Sequence, residues 1–243
     1  MRQQSERETT MLVLGLDLET SGLEKTECDI LEFGAALWNV EEKRPVYLFS
    51  KFNRDFKSEV PPEIEKLIGL RAAEVRTWGK PLNECLNELS ELMEKADYIV
   101  AHNGTGFDKP FLDHTYKSAG LKMPEKIWID TQIDLPFPDG MGTRKLSYLA
   151  AEHGFINPFP HRAITDVLTT LKLFSLYDFN TVIEVASSPL VQVVAKVSYD
   201  ERHKPRQAGF RWDSQRKFWY LDIRKILIPS REFNFDYHIN DNG

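Results

Sequence analysis

The chain reads as a mixed α/β protein with a small α+β appendage. Three features predict this: three strand-type apolar runs close together near the start, an alternation of helix-type and strand-type segments after them, and a change of texture beyond residue 189. Strands first, then helix and strand in turn, describe a mixed sheet with helices on its faces. With 243 residues, 42% hydrophobic and 28% charged, there is room for one full domain and a small second one around a sizeable core. Wholesale disorder is excluded by the same figures, and collagen-like or low-complexity classes by 13 Gly and 13 Pro.

Residues 1–10 (MRQQSERETT) are polar and read as a flexible tail. An apolar run from Met11 to Leu16 meets Asp17; Ile30–Asn39 (ILEFGAALWN) is a second run and Val46–Phe52 (VYLFSKF) a third with alternation. Their short connections predict an antiparallel start to the sheet. Pro61 and Pro62 mark a helix entry. From Pro81 to Lys95, Leu82, Cys85, Leu86, Leu89, Leu92 and Met93 recur at helical spacing. Tyr98–Ala101 follows as a strand, Phe107–Ala119 as a helix, Ile127–Asp130 as a short strand, and Lys145–His153 and Ala163–Tyr177 as helices. Ser187-Ser188-Pro189 is the expected linker. Beyond it, Val191–Val197 reads as a strand, Asp200–Ala208 as one helix and Phe218–Leu221 as another strand.

Charge divides the chain in the same place. Residues 190–243 carry ten basic and seven acidic side chains, whereas residues 1–189 carry 21 and 30, so an acidic body precedes a basic tail. The overall charge of −6 argues against nucleic-acid binding through a broad basic surface. Cys28 and Cys85 stand far apart, with no Cys/His cluster, which suggests neither disulfides nor zinc and fits a reducing, cytoplasmic setting. No signal-peptide core is present in the first residues, and no run approaches the ~20 apolar residues of a membrane helix.

The sharpest local feature is Asp17-Leu18-Glu19 at the end of the first strand. Side chains at i and i+2 of a strand share a face, so two carboxylates project together and repel unless a cation joins them. Asp108 falls at the start of a helix after Ala101-His-Asn-Gly-Thr-Gly-Phe107, and Asp166 in the first turn of another, preceded by His161 in the entry loop. Singly, each has a plainer reading, as a strand end running into a turn or as an acidic helix start. Together, four carboxylates at element ends can converge at one edge of the sheet. Hard oxygen ligands in that number suit Mg²⁺ or Mn²⁺, and two such ions ~3.5–4 Å apart clamp the attacking and leaving oxygens of an in-line phosphoryl displacement. An adjacent His is then suited to take a proton from water.

These three motifs, in this order and approximate spacing, resemble the DEDDh 3′–5′ exonucleases (the DnaQ-like and exonuclease X-like enzymes), over about Leu12 to Tyr177. The resemblance implies a ribonuclease H-like fold spanning residues 11–180 and metal-dependent release of nucleotides from 3′ ends. It implies Asp17, Glu19, Asp108 and Asp166 as ligands of two divalent ions and His161 as general base. It also assigns Thr20, Leu23, His102, Asn103 and Phe107 to the terminal nucleotide, with Asp130-Thr131 and Lys145–Ala150 as secondary matches. One departure stands out: the family's second motif usually reads His-Asn-x-x-Phe-Asp, and here three residues, Gly104-Thr105-Gly106, separate Asn103 from Phe107. The glycines can absorb the extra residue as a local bulge. Divalent ions would also turn an acidic pocket into one that accepts phosphate.

In the tail, nine basic residues between Lys196 and Lys225 interleave with Phe210, Trp212, Phe218, Trp219 and Tyr220. Aromatic faces in a cationic groove hold single strands without reading sequence; equally, the aromatics are the core of a tiny domain and the charges its solvated face. Ala208–Tyr220 resembles a small module appended to phage and plasmid DNA-metabolism proteins and the HARP-type domain of annealing helicases. Both likenesses imply an accessory nucleic-acid-binding domain over residues 190–243, with Arg211, Trp212, Lys217 and Trp219 as candidates. The expected partner is the 3′ end of DNA, met as a single strand. RNA trimming of the oligoribonuclease type and a non-catalytic binding scaffold are the alternatives.

Overall fold

The computed structural model describes residues 10–138, 141 and 143–240. Residues 1–9 of the expected tail and residues 241–243 lie outside the described residues. Strands β1 (Leu12–Thr20), β2 (Ile30–Asn39) and β3 (Arg44–Phe52) form an antiparallel meander; β4 (Tyr98–Ala101) and β5 (Ile127–Asp130) continue it in parallel, giving the order β3-β2-β1-β4-β5. β2 is buried along its whole length, which is why it is nearly continuously apolar where an edge strand alternates.

Successive residues of β1 feed opposite faces. Leu14 and Leu16 meet α3 (Leu82–Lys95) and α4 (Asp108–Ser118) through Leu86, Leu89, Met93, Phe111 and Leu112. Val13 meets α5 (Leu146–Glu152), α6 (Ala163–Phe174) and α7 (Phe179–Ser187), with Leu149, Val167, Leu171, Phe174 and Val182 in that layer. α1 (Pro62–Ile68) and α2 (Ala72–Trp78) cover the end of β2 with Phe56, Ile68 and Val75. The packing of α6 is close. A Cβ on Gly15 would lie 2.6 Å from Leu171 Cδ1, and one on Gly34 would lie 2.6 Å from the Ile164 backbone nitrogen. These two glycines let the helix rest directly on β1 and β2, bringing its first turn over the C-terminal end of β1.

The C-terminal residues form a second antiparallel sheet, ordered β7-β8-β6-β9. Its strands are β6 (Leu190–Lys196), β7 (Arg211–Asp213), β8 (Phe218–Arg224) and β9 (Asp236–Asn240), with the short helix α8 (His203–Gln207) and a 3₁₀ turn at Lys225–Ser230. Val191, Val193, Phe210, Ile223 and Ile228 give it a separate small core.

Several elements differ from the sequence expectation. The helix expected at Asp200–Ala208 shrinks to five residues, and α2, α7, β7 and β9 add to the expected set. Asp178 caps α7 by accepting the Thr181 N–H at 2.9 Å. That helix carries the first unit past residue 180, to within two residues of Pro189. The described residues contain no helix long and apolar enough to cross a membrane.

Candidate active site

Asp17 and Glu19 lie on one face of β1 near its C-terminal end, paired with Gly34 and Glu32 of β2. Asp166 reaches them from the first turn of α6, and Asp108, the first residue of α4, is buried beneath β1. Ligand atoms of Glu19, His161 and Asp166 all lie within 4.8 Å of one another. Asp17 and Asp108 border that group closely enough to repel each other. Burial, then Asp108, Glu19, Asp166 and Glu32, push the Asp17 carboxyl well above its ordinary range. Burial, with Asp166, Glu32 and Asp108, raises Glu19 to about 8, and burial also raises Asp108 and Asp166.

So many carboxylates at this density favour the protonated state unless cations intervene. Asp108 Oδ1 is buried and has no hydrogen-bond partner among the described residues, an expensive condition for an acceptor. The donor set is oxygen-rich and hard, and fits divalent cations of the magnesium type. The four carboxylates are the side chains that would hold them.

The loop before α6 is held from both ends. His161 sits at φ 63°, in the left-handed region that few non-glycine residues occupy. Its backbone N–H donates to Asp166 Oδ2 at 3.0 Å, and the Asn157 side-chain amide donates to Asp166 Oδ1. Beside it, Arg162 donates to Glu32 through Nε at 3.1 Å and Nη2 at 3.3 Å. Glu32, fully buried in mid-strand, also accepts from the Ser50 hydroxyl and the Ala163 N–H. The exposed imidazole is thus set against the carboxylates by an ion pair to β2. Asn157, Glu32 and Arg162 were not among the candidates. The one signal in sequence was Glu32 itself, a lone charge inside an apolar run.

The longer second motif is absorbed in its turn. Asn103 adopts φ 62°, and Asp130 gathers the turn by accepting the Asn103 N–H at 2.8 Å, the Thr105 N–H at 3.2 Å and the Thr105 hydroxyl at 2.7 Å. A side chain on Gly104 would collide with Ala101 Cβ. His102, expected against the substrate, has both ring nitrogens engaged: Nε2 with the Arg144 carbonyl at 2.7 Å and Nδ1 with Thr131 Oγ1 at 2.9 Å. Burial lowers its pKa, and a neutral ring that donates from Nε2 and accepts at Nδ1 satisfies both partners. That ring is a bracket between β4, β5 and the start of α5, and has no nitrogen left for substrate.

Among the other candidates, Asn103 is exposed at the turn. Phe107 packs on Phe111 with ring centres 4.9 Å apart. Thr20 is buried, its hydroxyl donating to the Gly22 carbonyl at 2.6 Å, whereas Leu23 is 81% exposed. In the small sheet, Arg211 pairs with Asp222 at 2.9 Å and Trp212 packs on Trp219 with ring centres 5.5 Å apart. Lys217 occupies the β7–β8 turn at φ 58°.

Comparison with known proteins bears on both parts. A family model described as Exonuclease, of the RNase T type, matches residues 14–174, about two-thirds of the chain. A second, for a domain of unknown function, matches residues 191–225. A curated relative, the 3′-5′ exonuclease DinG of Staphylococcus aureus (strain USA300), is 28% identical over 163 residues; the match covers 66% of this chain and 17% of the relative's length. The nuclease domain of 3′hExo, a DEDDh family member bound to rAMP, superposes with a TM-score of 0.58 at 15% identity, covering 70% of this chain and 92% of that one. The zinc-bound Escherichia coli ExoI–ssDNA complex gives a TM-score of 0.62 at 15% identity, with 77% and 48% covered. The mixed five-stranded sheet with flanking helices is the ribonuclease H-like fold of these DEDDh neighbours.

Proposed function

The chain belongs to the exonuclease family, and from that premise we propose that it hydrolyses single-stranded DNA from the 3′ end, releasing nucleoside 5′-monophosphates with the help of two Mg²⁺ or Mn²⁺ ions. The observation that carries this reading is the convergence of Glu19, His161 and Asp166 within 4.8 Å, with Asp17 and Asp108 close enough beside them to repel. Divalent ions bound there would neutralise charge developing on the attacking and leaving oxygens. Asp17, Glu19, Asp108 and Asp166 are the residues that would hold them.

His161 removes a proton from the water that attacks the terminal phosphorus. As the new P–O bond forms, the bond to the 3′ oxygen of the preceding nucleotide breaks, and that oxygen leaves as a new 3′-hydroxyl after protonation. Glu19 and Asp166 stabilise the imidazolium formed in this step. The ion pair of Arg162 with Glu32 positions His161, because the alternative rotation of the loop would strand a buried carboxylate. We assign the terminal nucleoside to exposed Leu23 and Asn103, with Thr20 fixing the turn that carries Leu23 through its bond to the Gly22 carbonyl. The small C-terminal domain is the accessory grip on the strand.

The test is a time course on 5′-labelled single-stranded DNA and RNA of one sequence, with Mg²⁺, Mn²⁺ or EDTA, beside Asp17→Ala protein. A metal-dependent ladder shortening from the 3′ end, faster on DNA and absent in the variant, is expected. Faster loss of the RNA would reassign the substrate. Degradation of neither strand would favour the binding scaffold.

A further inference from the structure

We propose that the cleft between the five-stranded sheet and the small C-terminal sheet is a phosphate-binding channel for the single strand leading away from the 3′ end. The proposal rests on the exonuclease reading for where that end lies. The cleft has a volume near 780 Å³. Arg144 and Lys145 line it from the nuclease side; Lys204, Arg206, Arg211 and Arg231 line it from the other. Only two acidic residues join them, and Asp222 of these already pairs with Arg211. Lys204 is also paired, with Glu201 at 2.5 Å outside the lining, and the excess of positive charge that the wall still carries makes a field that favours a polyanion.

The position suits a strand leaving the carboxylates. Gln132 and Ile133, just beyond β5, form part of the wall, at the same sheet edge as Asp17 and Glu19. β4 alone separates β1 from β5, so the wall begins about 10 Å from the carboxylates at ~4.8 Å per strand, a distance the strand must cross before it meets the cleft. His102 lies between the two places and is joined to Arg144, so the floor from carboxylates to cleft is continuous. Guanidinium and ammonium groups read phosphate rather than base, which makes the channel indifferent to sequence. The outer β7–β8 hairpin is a weaker rival: Trp212, though half exposed, leans on Trp219, and the turn residues Arg216 and Lys217 lie outside the cleft lining.

The experiment uses full-length protein carrying Asp17→Ala, so that substrate survives, and measures anisotropy of 5′-fluorescent oligothymidylates of about 3 and about 20 nucleotides over a salt series. Lys145→Glu and Arg206→Glu alter exposed residues from opposite walls; Arg216→Glu makes the same charge change on the outer turn. Circular dichroism melts confirm folding, and Lys145→Ala with Arg206→Ala replace any charge reversal that fails it. The cleft variants should weaken the long oligonucleotide about tenfold and lower its salt slope by about 1 each, with the short one and the Arg216→Glu protein within about twofold. Equal losses for both lengths, or a loss confined to Arg216→Glu, would overturn the channel. If the wild-type chain shortens DNA while the cleft variants bind as before, the channel fails and the exonuclease stands. If the cleft variants respond as expected but nothing is shortened, the channel stands and the nuclease reading fails.

Discussion

The carboxylate cluster makes the metal-free protein respond to pH in a way that can be measured. Glu19 in the folded chain titrates at about 8 against an ordinary 4.5, chiefly through burial and then through Asp166, Glu32 and Asp108, with Arg162 the opposing cation. The folded state therefore holds this proton more tightly than the unfolded state. Its contribution to stability is fully present below about pH 4.5 and is lost as pH rises through about 8. At ~1.4 kcal/mol per pH decade the full loss is about 5 kcal/mol, and screening at a half-buried carboxyl reduces this to about 2 kcal/mol. For a chain of this size that is a fall in Tm of about 4–8 °C.

Mg²⁺ or Mn²⁺ replaces the protons as the compensating charge, so its stabilisation should grow with pH. The assay is thermal unfolding at pH 5, 6, 7 and 8 with EDTA or with saturating metal, on wild type and Glu19→Gln. Tm in EDTA should fall with pH in the wild type and by less in the variant, and the gain from metal should be larger at pH 8 than at pH 6. A metal gain that does not change with pH, or the same slope in both proteins, would refute the coupling between Glu19 and the site.

Three further perturbations test the supporting frame. Arg162→Met leaves buried Glu32 without its cation and should cost about 3 kcal/mol, the low end for a broken pair because Arg162 is a third exposed. Because the loop also loses its anchor, kcat should fall by about tenfold or more with KM little changed, read from steady-state kinetics on labelled DNA. Gly34→Ala drives a methyl group into the backbone at Ala163 and Ile164 and should cost at least about 1–3 kcal/mol in urea unfolding. Arg224→Met removes the cation 2.6 Å from Asp134, which is fully buried. It should cost about 3 kcal/mol at pH 8 and less at pH 5, since burial already raises the Asp134 pKa and protonation relieves the stranded charge.

The carboxylates were legible in sequence because each stands at the end of a local element, and local elements follow from periodicity. Asp17 and Glu19 share a face because strands repeat every two residues; Asp108 and Asp166 start helices whose apolar stripes are plain. What holds them was not legible. Glu32 meets Arg162 across 130 residues, a pairing that depends on α6 lying over two glycines. β9 (DYHIN) has no run of β-branched residues and is a strand because β6 offers it an edge. The basic tail was visible as composition, but its division into a cleft wall and an outer hairpin is set by which side of the small sheet each residue occupies.

The longer second motif explains why the two units are tied where they are. An extra residue beside Asp108 loosens the turn that positions this carboxylate, and Asp130 restrains it with three hydrogen bonds to Asn103 and Thr105. Asp130 is itself held, since its backbone N–H donates to Asp134 Oδ2 at 2.7 Å. Asp134 is in turn paired with Arg224 of β8, whose Nη1 also donates to the Ser188 carbonyl at 2.9 Å. A continuous set of hydrogen bonds thus runs from the small sheet to the turn preceding Asp108. In the proposed function the C-terminal unit would therefore have two physical roles: its basic face would meet the strand, and Arg224 would stiffen the turn that presents Asp108. Losing the first would weaken binding to long strands only, whereas losing the second would slow turnover on strands of every length.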